Sequence, residues 1–181
     1  MSSKTTYWLL IAVALMAFNH VQAQTRQSVY TNLDPKLCKT LKSDPSEAGE
    51  YLGRCNGTAG YSLLVAEGDL RQNITVITPR GTKHSLDLWS LVSPAFSSLG
   101  PKAEWRVIRQ KNKTVPVSLI VRYNASENNE QPNKLTSYLV VVKITADEIC
   151  VTDKIKPVPN ANEEARRLAD TPGRPCLQAP N

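Results

Sequence analysis

The run Leu135-Thr-Ser-Tyr-Leu-Val-Val-Val-Lys-Ile144 decides the fold class. It is β-branched, nearly uncharged and free of Gly and Pro, the composition of a strand. Side chains alternate across a strand, so Tyr138, Val140, Val142 and Ile144 share one face, and Leu139 and Val141 share the other. A strand apolar on both faces needs cover on both, which predicts a central strand with protein above and below it.

Alternation continues upstream. Ala103, Trp105 and Val107 alternate, and so do Val117, Leu119, Val121 and Tyr123, across a basic turn at 110–114. Pairing 107 with 117 sets Trp105 opposite Leu119, apolar against apolar. Residues 61–88 read as a three-stranded meander. Gly68-Asp69 is its first turn, which places Leu63 opposite Ile74 and Tyr61 opposite Val76. Pro79-Arg80-Gly81 is the second turn, after which His84, Leu86 and Leu88 point inward. Residues 89–101, broken by Pro94 and Gly100-Pro101, are expected to be a connection with one helical turn. Residues 24–60, rich in Pro and Gly, are expected to be irregular, with a short helix at Leu37 and Leu41 carrying Cys38. The polar segment 124–134 is expected to be an exposed loop.

The tail supplies a lid for the second face of the central strand. Thr145 with Glu148, and Asn160 with Glu163, fit capping boxes. The second opens a helix over 161–169 whose apolar side is Ala161, Ala165, Leu168 and Ala169. Gly173 and Pro175 end it. Its expected place is over Ile120, Leu139 and Val141.

The N-terminus reads as an export signal. Lys4 precedes an apolar run, Trp8–Phe18, and Val21-Gln22-Ala23 is a cleavage site. The run is shorter than the about 20 residues a membrane helix needs. Cleavage after Ala23 leaves 181 less 23, or 158 residues, a single exported domain over 24–181 with no later span. Loss of Lys4 lowers the net charge from +6 to +5, an excess spread along the chain. Aromatic residues do not interleave with the basic ones, which argues against a nucleic-acid groove.

Cys38, Cys55, Cys150 and Cys176 all lie in the exported part, which predicts two disulfides. Three pairings are open. The local one, Cys38–Cys55 and Cys150–Cys176, closes the shortest loops and would tie the tail helix to the sheet. A zinc site is disfavoured, because no Cys-x-x-Cys occurs and one His remains after residue 23.

Little in the chain carries chemistry. Any His-based catalysis must use His84, with Asp87 nearby in sequence, although along a strand Asp87 takes the opposite face. The bland alternative is a hydrogen-bonded His at the core edge. Glu67, Asp69, Asp87 and Glu104 are the carboxylates from which a hydrolytic pair would be drawn. There is no nucleophile elbow and no phosphate-cradling or dinucleotide loop, so no cofactor is expected. Trp105 is core by parity. Trp89 and Phe96 lie in the irregular connection and are the candidates for a ligand face. Asn56, Asn73, Asn112 and Asn124 head Asn-x-Ser/Thr triplets.

The runs Pro94-Ala-Phe-Ser-Ser-Leu-Gly-Pro-Lys-Ala-Glu-Trp-Arg-Val107, Val115-Pro-Val-Ser-Leu-Ile-Val-Arg-Tyr-Asn-Ala-Ser126 and Ser137-Tyr-Leu-Val-Val-Val142 resemble a set of uncharacterised exported bacterial proteins. The resemblance covers most of the chain after residue 23. It implies a bacterial envelope location and no particular activity.

The expectation is one α+β domain: an antiparallel sheet of about six strands, curved or split in two, with a disulfide-tied C-terminal helix. Its expected function is non-enzymatic binding, periplasmic or secreted, to an unknown envelope or extracellular partner. The alternative is a small envelope hydrolase using His84 or a carboxylate pair.

Overall fold

The computed structural model describes residues 25–44 and 50–179. The expected signal peptide and its cleavage site lie outside them. Among the described residues ten strands form two antiparallel five-stranded sheets, so the strands are divided between two sheets and outnumber the about six expected. The first sheet runs β1 (Gln27–Asn32), β7 (Ser97–Gln110), β8 (Lys113–Ala125), β9 (Thr136–Ile144) and β10 (Ile149–Ile155). The second runs β2 (Lys39–Asp44), β3 (Glu50–Asn56), β4 (Ser62–Gly68), β5 (Arg71–Ile77) and β6 (Lys83–Ser85).

The core lies between the sheets. Trp105, Leu119, Val121, Tyr123, Val140 and Val142 from the first meet Leu63, Val65, Ile74 and Val76 from the second. β9 sits between β8 and β10, as its two apolar faces require. Its second face is covered as expected. Helix α2 (Ala161–Ala169) buries Ala165, Leu168 and Ala169 against Ile120, Leu139 and Val141. Asn160 is the residue before that helix, but its side chain makes no capping bond.

Strands appear where loop was expected. β1, β2 and β3 occupy most of 24–60, and Pro35–Leu37 is a single 3-10 turn rather than a helix. β1 and β2 are edge strands with little burial, so their sequences carry only a weak apolar alternation. Gly53 in β3 lies beneath the Tyr51 ring, where any Cβ would collide with it. β10 replaces the expected turn after β9. Thr145 and Glu148 close the β9–β10 hairpin, with Thr145 N donating to Glu148 O at 2.9 Å and Thr145 Oγ1 accepting from Glu148 N at 2.9 Å.

One turn is shifted and another is tighter than expected. Asp69-Leu70 joins β4 to β5 with φ of 50° and 57°, one residue later than the expected turn. Leu63 therefore pairs with Val76 and Val65 with Ile74. The slip is two residues in pairing, so every side chain keeps its face. Lys111-Asn112 joins β7 to β8 with φ of 47° and 63°. Trp105 does pair with Leu119, and a bulge then sets Val107 against Pro116. A bulge is where a strand tolerates a proline, which has no N–H to give.

Both local disulfides are present, Cys38–Cys55 and Cys150–Cys176. Two disulfides fit an oxidising compartment. Among the described residues no helix is long and apolar enough to cross a membrane.

Candidate functional site

Trp89 and Phe96 are brought together with residues that the sequence reading left out. Helix α1 (Leu88–Leu91) is the one helical turn of the connection. Leu88 and Val92 are buried, which anchors its inner side. Asn73 Oδ1 accepts from Leu88 N at 3.1 Å. Tyr123 Oη donates to Ser93 O at 3.0 Å, and Lys154 Nζ donates to Val92 O at 2.9 Å. Trp89 is thus carried on a held backbone, yet is 53% exposed.

Phe96, seven residues after Trp89, is 49% exposed. The Arg71 guanidinium lies over its ring, 5.1 Å from the centroid, a cation–π contact. Arg71 Nε also donates to Pro94 O at 2.8 Å, and Nη1 pairs with Asp69 Oδ2. Leu70, 49% exposed at the β4–β5 turn, is tied to the same end because Ser97 N donates to its carbonyl at 2.9 Å. Gly68, Asp69, Arg71, Gln72, Asn73 and Trp89 line a concavity of about 270 Å³. Reading the turn as Gly68-Asp69 hid Leu70 as a turn residue. The signal for Arg71 was its place directly after that turn.

His84 is elsewhere. It pairs with Val76 on the inward side of β6 and is half-buried. Its ring makes no hydrogen bond among the described residues. It lines an open concavity of about 380 Å³ with Tyr61, Arg80, Thr82, Thr145 and Asp147. Asp87 is not part of that lining. Asp87 has φ of 46°, and its Oδ1 accepts from Ser90 Oγ at 2.9 Å.

No family model, curated protein or solved structure matches the chain. The functional reading therefore rests on the geometry.

The candidate carboxylates are each engaged separately. Glu67 accepts from Gln72 Nε2, Asp69 pairs with Arg71, and Glu104 pairs with Arg166. Among the described residues, Glu148, Cys150 and Cys176 alone bring three ligand-type atoms together, but the two sulfurs are bonded to each other and neither is a thiolate. Of the sequon asparagines, Asn73 donates to Ser85 Oγ and Asn124 accepts from Ser137 Oγ, while Asn56 and Asn112 are exposed.

Beneath α2 lies an ion network that holds the lid. Arg106 is 8% exposed and makes two bonds to Asp170, at 2.9 and 2.6 Å. Glu104 accepts from Arg166 Nε at 2.7 Å and from Ser28 Oγ at 2.6 Å. Burial pushes the Glu104 carboxyl up, but the bonds from Arg166 and Ser28 and the Arg166 charge outweigh it and hold the pKa below its ordinary 4.5. A carboxyl depressed on folding stabilises the fold above its unfolded pKa. That contribution is lost as pH falls through the folded value. We expect the melting temperature to drop below about pH 4.5, and Glu104→Gln to lower the neutral melt while shallowing that acid limb. Melts from pH 3 to 7 check it; a mutant limb as steep as wild type refutes it.

Proposed function

We propose that the chain is a non-enzymatic binding protein of the periplasm or exterior, and that it takes its ligand at the Trp89–Phe96 end of the sandwich. The observation that carries this reading is two aromatic side chains left about half exposed on a backbone that is itself anchored. Large apolar rings are normally drawn into the core, and rigid exposed aromatics beside an arginine are the composition of binding hot spots. The two disulfides support the location.

A second reading, a small hydrolase at His84, has the concavity shared with Asp147, Tyr61 and three hydroxyl-bearing threonines in its favour. One experiment separates them. The purified protein, immobilised, is used to capture material from the native envelope. Trp89→Ala and Phe96→Ala are expected to reduce specific capture by about tenfold or more. Leu41→Ala, equally exposed but on edge strand β2 at the far side of the second sheet, serves as control and should leave it intact. Capture that survives both aromatic changes but falls with His84→Ala would move the site to the His84 concavity.

A further inference from the structure

We propose that the concavity beside Trp89 is a saccharide site that takes one uncharged sugar ring; this rests on the reading of that end as the binding face. Trp89 is the one apolar side chain among its six lining residues. An apolar side chain from a protein partner would therefore meet mostly polar groups, which it cannot satisfy. A sugar ring has the matching chemistry: one face of C–H groups for the indole and a rim of hydroxyls for the polar wall.

The polar wall is held in place and still has capacity. Gln72 Nε2 gives one proton to Glu67, and Asn73 Nδ2 gives one to Ser85, so each amide keeps a second N–H. Arg71 uses Nε and Nη1, and Asp69 uses Oδ2, which leaves Arg71 Nη2 and Asp69 Oδ1 for a ligand. These are donors and an acceptor together, as hydroxyls require. Asp69 and Arg71 neutralise each other, so the site favours an uncharged ligand over a phosphate or a carboxylate. Phe96 does not line the concavity and carries Arg71 over its ring, so the concavity offers one stacking wall, Trp89. A nucleobase, with two π faces, is less well served than a sugar with one apolar face. At about 270 Å³ the space is below the about 300–1,000 Å³ of drug-sized pockets, which suits a single ring of an oligosaccharide.

Calorimetric titration of the purified protein with β-1,4-linked tetramers of glucose and of N-acetylglucosamine tests this, with adenosine and a short apolar peptide as comparison ligands. Saturable binding of at least one tetramer is expected, with a change in indole emission. Trp89→Ala should weaken it at least about fivefold, while Trp89→Phe, which keeps a ring, loses less. Asp69→Asn should also weaken it. Neither tetramer saturating by millimolar concentration overturns the assignment, as does unchanged affinity in Trp89→Ala, or saturation by adenosine or the peptide alone. If the tetramers fail while Trp89→Ala still abolishes envelope capture, the sugar assignment falls and the binding face stands. If capture is also unaffected, both fall.

Discussion

Val141→Asp is expected to unfold most of the protein at room temperature. Val141 is fully buried under α2, packed with Ile120, Leu139, Ala165, Leu168 and Ala169. An aspartate there replaces the apolar packing under α2 and must bury its charge, take up a proton or turn toward Lys143, Arg174 or Arg26, which share a neighbouring concavity with Val141, at a cost of several kcal/mol. A domain of this size holds about 5–15 kcal/mol in total. Lys143 lies two residues on, on the same face, but its Nζ reaches Arg174 O at 3.1 Å and Glu148 at 2.7 Å near the strand end. Lys143→Asp loses that ion pair and sets a carboxylate beside Glu148 in reach of water, so a loss of about 1 kcal/mol is expected. Thermal and urea melts of the two variants make the comparison. Equal small losses would mean that α2 does not seal that face.

Trp105→Ala is expected to cost about 3–5 kcal/mol, the range for deleting a buried aromatic. Trp105 is fully buried between the sheets, with its Nε1 donating to Thr31 Oγ1 at 2.8 Å and the Tyr61 ring 5.9 Å away. Gly57 lies against it so closely that an added Cβ would sit 2.8 Å from the indole. The hole left by alanine has rigid walls on both sheets and cannot collapse. Trp105→Phe should recover part of the loss but still leave Thr31 without its donor. Urea unfolding with an unchanged slope reads the difference; a loss under about 1 kcal/mol would mean that the two sheets do not pack through this residue. Trp89→Ala, by contrast, removes an exposed ring and should melt close to wild type. That contrast separates the indole that holds the fold from the one offered to a ligand.

Periodicity alone determined much of this architecture. The run 135–144 has apolar residues on both parities, and a two-sided strand demands two layers of cover whatever its neighbours are. The helix over 161–169 followed from its narrow apolar side, and the Trp105–Leu119 pairing from matching faces. Local disulfides followed from an even cysteine count and the shortest loops. These signals join residues at most 26 apart in the chain, so sequence spacing carries them.

Tertiary structure alone decided the rest. The division into two sheets depends on which strand edges meet, and β1 pairs with β7 across some seventy intervening residues. β1 and β2 carry little apolar alternation because edge strands have little to bury, so they read as loop. The site was half legible. Trp89 and Phe96 stood out as rings in an irregular connection, but Leu70 and Arg71 come from the β4–β5 hairpin, and nothing in sequence sets that turn beside α1. His84 was assigned to the inward face by parity, and it does lie there. Parity gives direction without depth, and the depth is decided by how far β6 extends along the rim of the sandwich.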